Sequence, residues 1–271
     1  MKRIDSPANP HFKSMRQLVE SSRERRKAGH SVLDGAHLVA AYLDHAGLPR
    51  QVAVSRQGRD NPEIRALLDR MKEVDTFILG DALFSALSST VTPTGILAVV
   101  ETPRQQPVPP RMESCVMLED LQDPGNLGSI LRTCAAAGIR HVLLSRGCVH
   151  AWSPRVLRAA MGAHFALAIY ESADLVAVAR GFQGKRIATQ VRSSATIFDT
   201  DLSEGIAFLF GNEGAGLSPG LLAAADSVVS IPMPGKAESL NVAAAAAVCL
   251  FERVRQLAAV GENRSAQSRV R

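Results

Sequence analysis

Aromatic side chains are scarce in this chain of 271 residues: Phe, Trp and Tyr make up 4%, with a single tryptophan and two tyrosines. Its core must therefore be packed from aliphatic and small residues. Cysteine is equally sparse. Cys115, Cys134, Cys148 and Cys249 form no C-x-x-C pair and sit among apolar neighbours, as in Cys115-Val116-Met117-Leu118. That spacing gives no support to a zinc site or a disulfide framework, and we expect reduced, buried thiols and no metal. No stretch approaches the roughly 20 apolar residues that a membrane-spanning helix requires. The first residues, MKRIDSPANPHF, lack the apolar segment of a secretion signal. We therefore expect a soluble cytoplasmic protein with no membrane partner.

What is present is 46% hydrophobic residues, sufficient for two modest domains, and a formal charge of +5. The charge favours a polyanionic partner only weakly. One boundary stands out. Residues 102–112, with Pro103, Pro107, Pro109 and Pro110 among polar residues, read as a semi-rigid linker. Before it, over 1–101, the runs QVAVS (51–55), TFILG (76–80) and GILAVV (95–100) are predicted strands. AHLVAAYLDHAG (36–47) and PEIRALLDRM (62–71) have helical spacing. This is a small α/β domain.

Over 113–260 the alternation recurs. CVMLED (115–120), HVLLS (141–145), FALAIY (165–170), RIATQV (186–191), IAFLFG (206–211) and SVVSIP (227–232) are predicted strands. NLGSILRTCAAAG (126–138) and SPRVLRAAMG (153–162) are predicted helices. Such a pattern points to a parallel sheet covered by helices, with ligands at the carboxyl ends of its strands. Residues 261–271 are basic and read as a disordered tail.

Three loops at those ends carry polar residues that packing does not explain. GNEGAGLSPG (211–220) matches three familiar patterns and fails each. As a Walker loop it has Leu217 where lysine belongs, and as a dinucleotide fingerprint it has Pro219 in place of the third glycine. As a nucleophile elbow around Ser218 it lacks the following backbone N–H, because Pro219 has none. What survives is a glycine-rich loop that permits close backbone approach, with Glu213 inside it. In LEDLQDPGNLGSILRTCAAAG (118–138), Asn126 stands where a helix cap belongs. Arg132 lies beside an apolar stripe and needs a partner or a role. In IPMPGKAESLNVAAAAAVCLF (231–251), Ser239 and Asn241 precede five alanines, a helix suited to close approach of another backbone.

Together NLGSILRTCAAAG, LFGNEGAGLSP and IPMPGKAESLNVAAAAAVCLFE resemble, in order, the three motifs of the SpoU (TrmH) family of RNA ribose 2′-O-methyltransferases, within the SPOUT superfamily. SPANPHFKSMRQL (6–18) and HSVLDGAHLV (30–39) are similar to the RNA substrate-binding domain of members acting on ribosomal RNA. The resemblance implies an α/β fold whose C-terminal SPOUT domain has a parallel sheet and a deep trefoil knot, preceded by the smaller α/β domain. It implies S-adenosylmethionine as cofactor, contacted at Gly211, Ile231 and Leu240, with Leu209 and Met233 lining the adenine pocket. It implies a homodimer, with the alanine helix beside the partner and the active site near the interface.

The same resemblance implies catalytic positions at Arg132, Asn126, Glu213, Ser239 and Asn241. Arg132 is expected either to act as base or to hold the hydroxyl and phosphate while another group takes the proton. An arginine pKa above about 12 favours the second. Lys13, Arg16, Arg25 and Arg26, from the basic segment 13–27, are candidate contacts to RNA phosphates. With few aromatics to stack bases, recognition would rest on shape and phosphates. Ribosomal RNA is favoured over transfer RNA; transfer RNA, a catalytically silent RNA binder and a hydrolase built on Ser218 remain as alternatives.

Overall fold

The structure, a computed structural model, describes residues 1–90 and 92–268, with side chains described through Val260. The chain divides into two compact units. One comprises Met1–Arg104 and His150–Phe165, the other Gln105–Val149 and Ala166–Arg271.

The first unit is built on β1 (Lys2–Ile4), α1 (Pro10–Glu20), α2 (Ser22–Ala28), β2 (His30–Asp34), α3 (Ala36–His45), β3 (Gln51–Ser55), α4 (Arg56–Asp60), α5 (Pro62–Arg70), β4 (Asp75–Leu79), α6 (Asp81–Leu87) and β5 (Ile96–Glu101). Its strands form a mixed sheet in the order β1-β4-β3-β5-β2, with β5 antiparallel to both neighbours. Helix α1 starts where the Asn9 side chain accepts from the His11 N–H and Pro10 takes the first turn. Phe12, Met15 and Leu18 recur along one face and bury against Ala53, Phe77 and Leu97 of the sheet.

The second unit is a seven-stranded, wholly parallel sheet. Its elements in chain order are β6 (Cys115–Leu118), α7 (Pro124–Ala136), β7 (His141–Leu144), β8 (Ala168–Tyr170), α9 (Leu175–Gly181), β9 (Lys185–Thr189), β10 (Ala195–Thr196), β11 (Ile206–Phe210), α10 (Pro219–Ala223), β12 (Ser227–Ser230) and α11 (Val242–Ser268), with α8 (Pro154–Ala160) between β7 and β8 belonging to the first unit. Strand order is β10-β12-β9-β11-β6-β7-β8. Every residue of the adjacent strands β6 and β11 is buried, and Leu209 faces Met117 in their register. Continuous apolar strands of this kind require cover on both faces.

Several expectations shift here. Helix α8 lies in the second half of the sequence but belongs to the first unit, where it packs against β2. An amphipathic helix signals that it has an apolar face, not which sheet that face will cover. Of FALAIY only Ala168–Tyr170 is strand, because Ala163–Ala166 form a 3-10 turn after Gly162 and the Phe165 ring meets Tyr42 edge-on at 5.5 Å. Part of the linker is clasped to the second unit: Gln105 donates to the Glu171 carbonyl at 2.9 Å and accepts from its N–H at 3.0 Å. Of the tail expected over 261–271, α11 takes in residues to Ser268, and 269–271 lie outside the described residues.

Candidate active site

The site forms at the carboxyl ends of β6, β9, β11 and β12. The glycine loop after β11 folds back on itself. Asn212 and Gly216 exchange backbone hydrogen bonds of 3.0 and 2.9 Å, and the Asn212 side chain accepts from the N–H groups of Gly214 and Ala215. Gly216 holds φ +71°, the left-handed region that glycine enters at no steric cost. A Cβ on Gly211 would stand 2.2 Å from the Gly216 carbonyl carbon, so no side chain fits there. Glycine is needed at 211 because two backbone segments touch.

The loop is anchored to the strand beside it. Asn212 donates to the Asp120 carbonyl at 2.8 Å, and Glu119 accepts from both the N–H and the hydroxyl of Ser218 at 2.7 Å. Ser218 also caps α10 by accepting from the Leu221 N–H. Its hydroxyl is thus a structural clasp, and the hydrolase alternative falls.

Beside this loop lies a cavity of about 750 Å³, within the range of small-molecule sites. Gly211, Ile231, Met233, Ser239, Leu240, Asn241 and Glu213 all line it. Leu209 does not: it is 0% exposed and sealed in the sheet between β6 and β9, with its carbonyl also accepting from the Thr189 hydroxyl at 3.2 Å. Its side chain is core, which corrects the expectation that it lines a pocket.

Three of the expected catalytic side chains meet across 115 residues of sequence. Asn241 Nδ2 donates to Asn126 Oδ1 at 2.9 Å, and Asn126 Nδ2 donates to Glu213 Oε1 at 2.9 Å. The remaining carboxylate oxygen of Glu213 has no described partner. Asn126 is not the helix cap. Asp123 takes that position and accepts from the Asn126 N–H at 2.7 Å, with Pro124 opening the helix. The Asn126 amide is therefore free to bridge. Asn241 does both jobs, since its Oδ1 accepts from the Ala243 N–H at 2.9 Å at the start of α11. Ser239 is exposed in the cavity wall.

Arg132 stands apart. It is exposed on α7, has no hydrogen bond or ion pair among the described residues, and is not in the cavity wall. Six residues of helix turn it about 120° away from Asn126. The stripe beside it, Ile130, Leu131 and Cys134, is buried, so the helix solves the expected conflict by pointing the guanidinium outward.

Residues 113–251 match the SpoU rRNA Methylase family, just over half of the chain. The chain belongs to that family. Residues 9–98 match the MRM3-like substrate binding domain. The chain is 32% identical over 253 residues to 23S rRNA (guanosine(2553)-2'-O)-methyltransferase RlmP of Bacillus subtilis, covering 93% of this chain and 98% of that protein. It is 29% identical over 259 residues to the 23S rRNA (uridine(2479)-2'-O)-methyltransferase of Streptomyces viridochromogenes, covering 92% and 90%. The crystal structure of an AdoMet-bound rRNA methyltransferase from Sinorhizobium meliloti superposes with a TM-score of 0.81 at 28% identity, over 94% of this chain and 98% of that one.

For this SpoU family member the wall contains residues that no motif signalled, among them Thr189 at the end of β9 and Gln190, Val191 and Arg192 after it. Nothing in RIATQV distinguishes a strand end at a cavity from any other. Only the adjacency of β9 to β11 and β12 brings it there.

Of the four candidate RNA contacts, Lys13 and Arg26 are exposed, and Arg16 is exposed but paired with Glu20 at 2.7 Å. Arg25 is a correction. It is 4% exposed, and its Nη1 donates to the carbonyls of Leu18 and Val19 at 2.6 and 3.0 Å, while Nε donates to His150 Nδ1 at 3.4 Å. It ties the end of α1 to α2 and offers nothing to a phosphate.

Proposed function

We propose that the protein transfers the methyl group of S-adenosylmethionine to a ribose 2′-hydroxyl of ribosomal RNA. The observation that carries this is the Asn241–Asn126–Glu213 chain of hydrogen bonds at the edge of the glycine-walled cavity. The cavity suits the cofactor in chemistry as well as size. Backbone at Gly211 and Gly216 forms a floor with no side chain, Ile231, Met233, Leu240 and Val242 supply apolar wall, and Glu213 and Glu238 supply negative charge for a sulfonium.

When bound, S-adenosylmethionine supplies an electrophilic methyl, so the protein's task is to place the hydroxyl and take its proton. The Asn126 amide holds one oxygen of Glu213, and Asn241 holds Asn126. The carboxylate is thereby fixed with its other oxygen available. We assign the hydroxyl proton to that oxygen. A guanidinium cannot take it, and the exposed fork of Arg132 is suited instead to a backbone phosphate. Ser239 positions the ribose.

Homodimerisation belongs to the same proposal. In one chain Arg132 lies off the cavity wall, and a second copy packed on α7 and α11 would bring it to a cavity. The knot implied by the family resemblance is consistent with the segments 211–217 and 231–241 lining one cavity. Lys13 and Arg26, with Arg16 released from Glu20, would hold RNA phosphates, and the cytoplasm would be the working compartment. The test is methyl transfer from labelled cofactor to separately purified ribosomal and transfer RNA lacking this modification, followed by nucleoside mass spectrometry. A 2′-O-methylnucleoside in ribosomal RNA, lost with Glu213→Gln while cofactor binding persists, is the expected result. Transfer to transfer RNA alone would replace the substrate, and cofactor and RNA binding without transfer would make the protein a silent binder.

A further inference from the structure

A second cavity, of about 330 Å³, lies wholly within the first unit, between the end of β2, the start of α3, the start of α5 and the end of α8. Its walls are of two kinds. Leu38 and Ile64 are buried and apolar, and His37 and Met161 are exposed at its rim. Met161 is held there at φ +50°, the left-handed end of α8. The polar side is a cluster built around Ser89. Asp34, 6% exposed, accepts through Oδ2 from the Ser88 hydroxyl, the Ser89 N–H and the Ser89 hydroxyl at 2.8, 2.9 and 3.1 Å. Arg158 grips the same serine from the other side, donating Nη1 to its carbonyl and hydroxyl at 3.0 and 3.1 Å.

Each of these charged groups is half used. Asp34 Oδ1 makes no hydrogen bond among the described residues, and neither do Arg158 Nε and Nη2. Both residues line the cavity, so their open acceptor and donors are available to a ligand there. Here a fixed acceptor and fixed donors stand together beside apolar walls, with the exposed His37 at the rim. Asp34 and Glu63 in the lining oppose an anion, so a phosphate does not suit the cavity. A flat heterocycle carrying a donor and an acceptor on one edge does. We infer that this cavity receives one unpaired base of the RNA substrate, its edge read by Asp34 and Arg158 and its face covered by His37.

This rests on the RNA-methylating function proposed above and adds to it a base contact that the shortage of aromatics argued against. One imidazole and one aliphatic wall suffice for a single base.

The test uses the full chain, without cofactor, and the tightest-binding fragment from a digest of ribosomal RNA, read by fluorescence anisotropy. Single abasic substitutions are walked along the fragment. For the wild-type chain one position weakens binding about tenfold, the scale of one stacked and hydrogen-bonded base. In His37→Ala, and in the isosteric Asp34→Asn, intact RNA binds about tenfold more weakly and the same abasic site has less than a twofold further effect. His37 is exposed and makes no described contact, so its variant should melt with the wild type, which separates loss of the base contact from loss of the fold. Variants that bind like the wild type, an abasic effect that persists in them, or no fragment that binds would each overturn the inference. Because the assay needs no transfer, loss of methylation with an intact abasic signature would overturn the proposed function and leave the base site standing.

Discussion

The two cavities are built by opposite means. In the second unit the floor is backbone: Gly211 lies against Gly216, and the carbonyl of Asp120 and the N–H of Gly214 and Ala215 hold Asn212 in place. In the first unit the walls are side chains, Asp34 and Arg158 gripping Ser89. A backbone site is set by where strands end and tolerates changes of side chain, but not a Cβ at its glycines. A side-chain site changes what it recognises with a single substitution. Such a division suits a family whose relatives share a reaction while one is named for a guanosine and another for a uridine.

The largest expected effect would sharpen that contrast in the reaction itself. Glu213→Gln should lower methyl transfer by about 10²–10⁴-fold, the contribution of a positioned proton acceptor, with cofactor affinity and melting temperature nearly unchanged. Arg132→Ala should be comparably inactive alone. Dimers mixed from the two mutant chains should regain up to a quarter of wild-type activity, as about half the dimers would then have one intact site. No recovery would break the assignment of Arg132 to the partner's cavity.

Next comes Gly211→Ala. A methyl group 2.2 Å from the Gly216 carbonyl carbon forces the loop apart, and overpacking of this kind costs about 1–3 kcal/mol or more. Cofactor binding by calorimetry should fall with it, while RNA binding by the first unit persists. Arg25→Met probes the other unit. It strands the carbonyls of Leu18 and Val19, at a cost of about 1–3 kcal/mol, and should leave the salt dependence of RNA binding untouched. Arg26→Ala and Lys13→Ala should do the reverse, each lowering the slope of log affinity against log salt by about one.

Acid should separate the two units. His150 is buried, and burial together with Arg26, Arg25 and His164 pushes its pKa down to about 3. His164 is pushed down to about 4 by burial; its Nε2 donates to the Ala151 carbonyl at 2.8 Å, and its Nδ1 has no partner among the described residues. Both folded values lie below the ordinary 6.5. As pH falls below about 6.5 the unfolded chain binds protons that the folded chain refuses, so stability present above that pH is lost between about 6.5 and 4. Each histidine contributes up to about 1.4 kcal/mol per pH unit. Urea melts followed at Trp152, which packs on His164 at 5.0 Å, should show the first unit losing its midpoint sooner. The smallest effect is a pair. Asp123→Ala should cost about 1 kcal/mol as a lost cap, and Asn126→Ala much less, with the activity loss falling on the second.

Much of the architecture was legible beforehand, and the exceptions are instructive. Strands such as QVAVS and IAFLFG announce themselves because burial on both faces demands unbroken apolar runs. Asn126 was expected to cap the helix, but Asp123 is the cap and Pro124 opens the first turn; Asp and Asn are both good caps, so local chemistry could not choose between them. Within the basic run 23–27, which cation turns inward depends on the carbonyls at the end of α1, and no pattern in RERRK distinguishes Arg25.

The sequence alone determined the alternating elements, the small side chains of the glycine loop and the alanine helix, and the motif residues through which the family was named, because composition and periodicity are local properties. Only the tertiary structure decided that Asn126, Glu213 and Asn241 form one chain, that Leu209 is core, that Arg132 faces away, and that Asp34 and Arg158 share a serine. The meetings among them join residues 55 to 115 positions apart. They are set by strand order and helix docking, which a linear pattern does not contain.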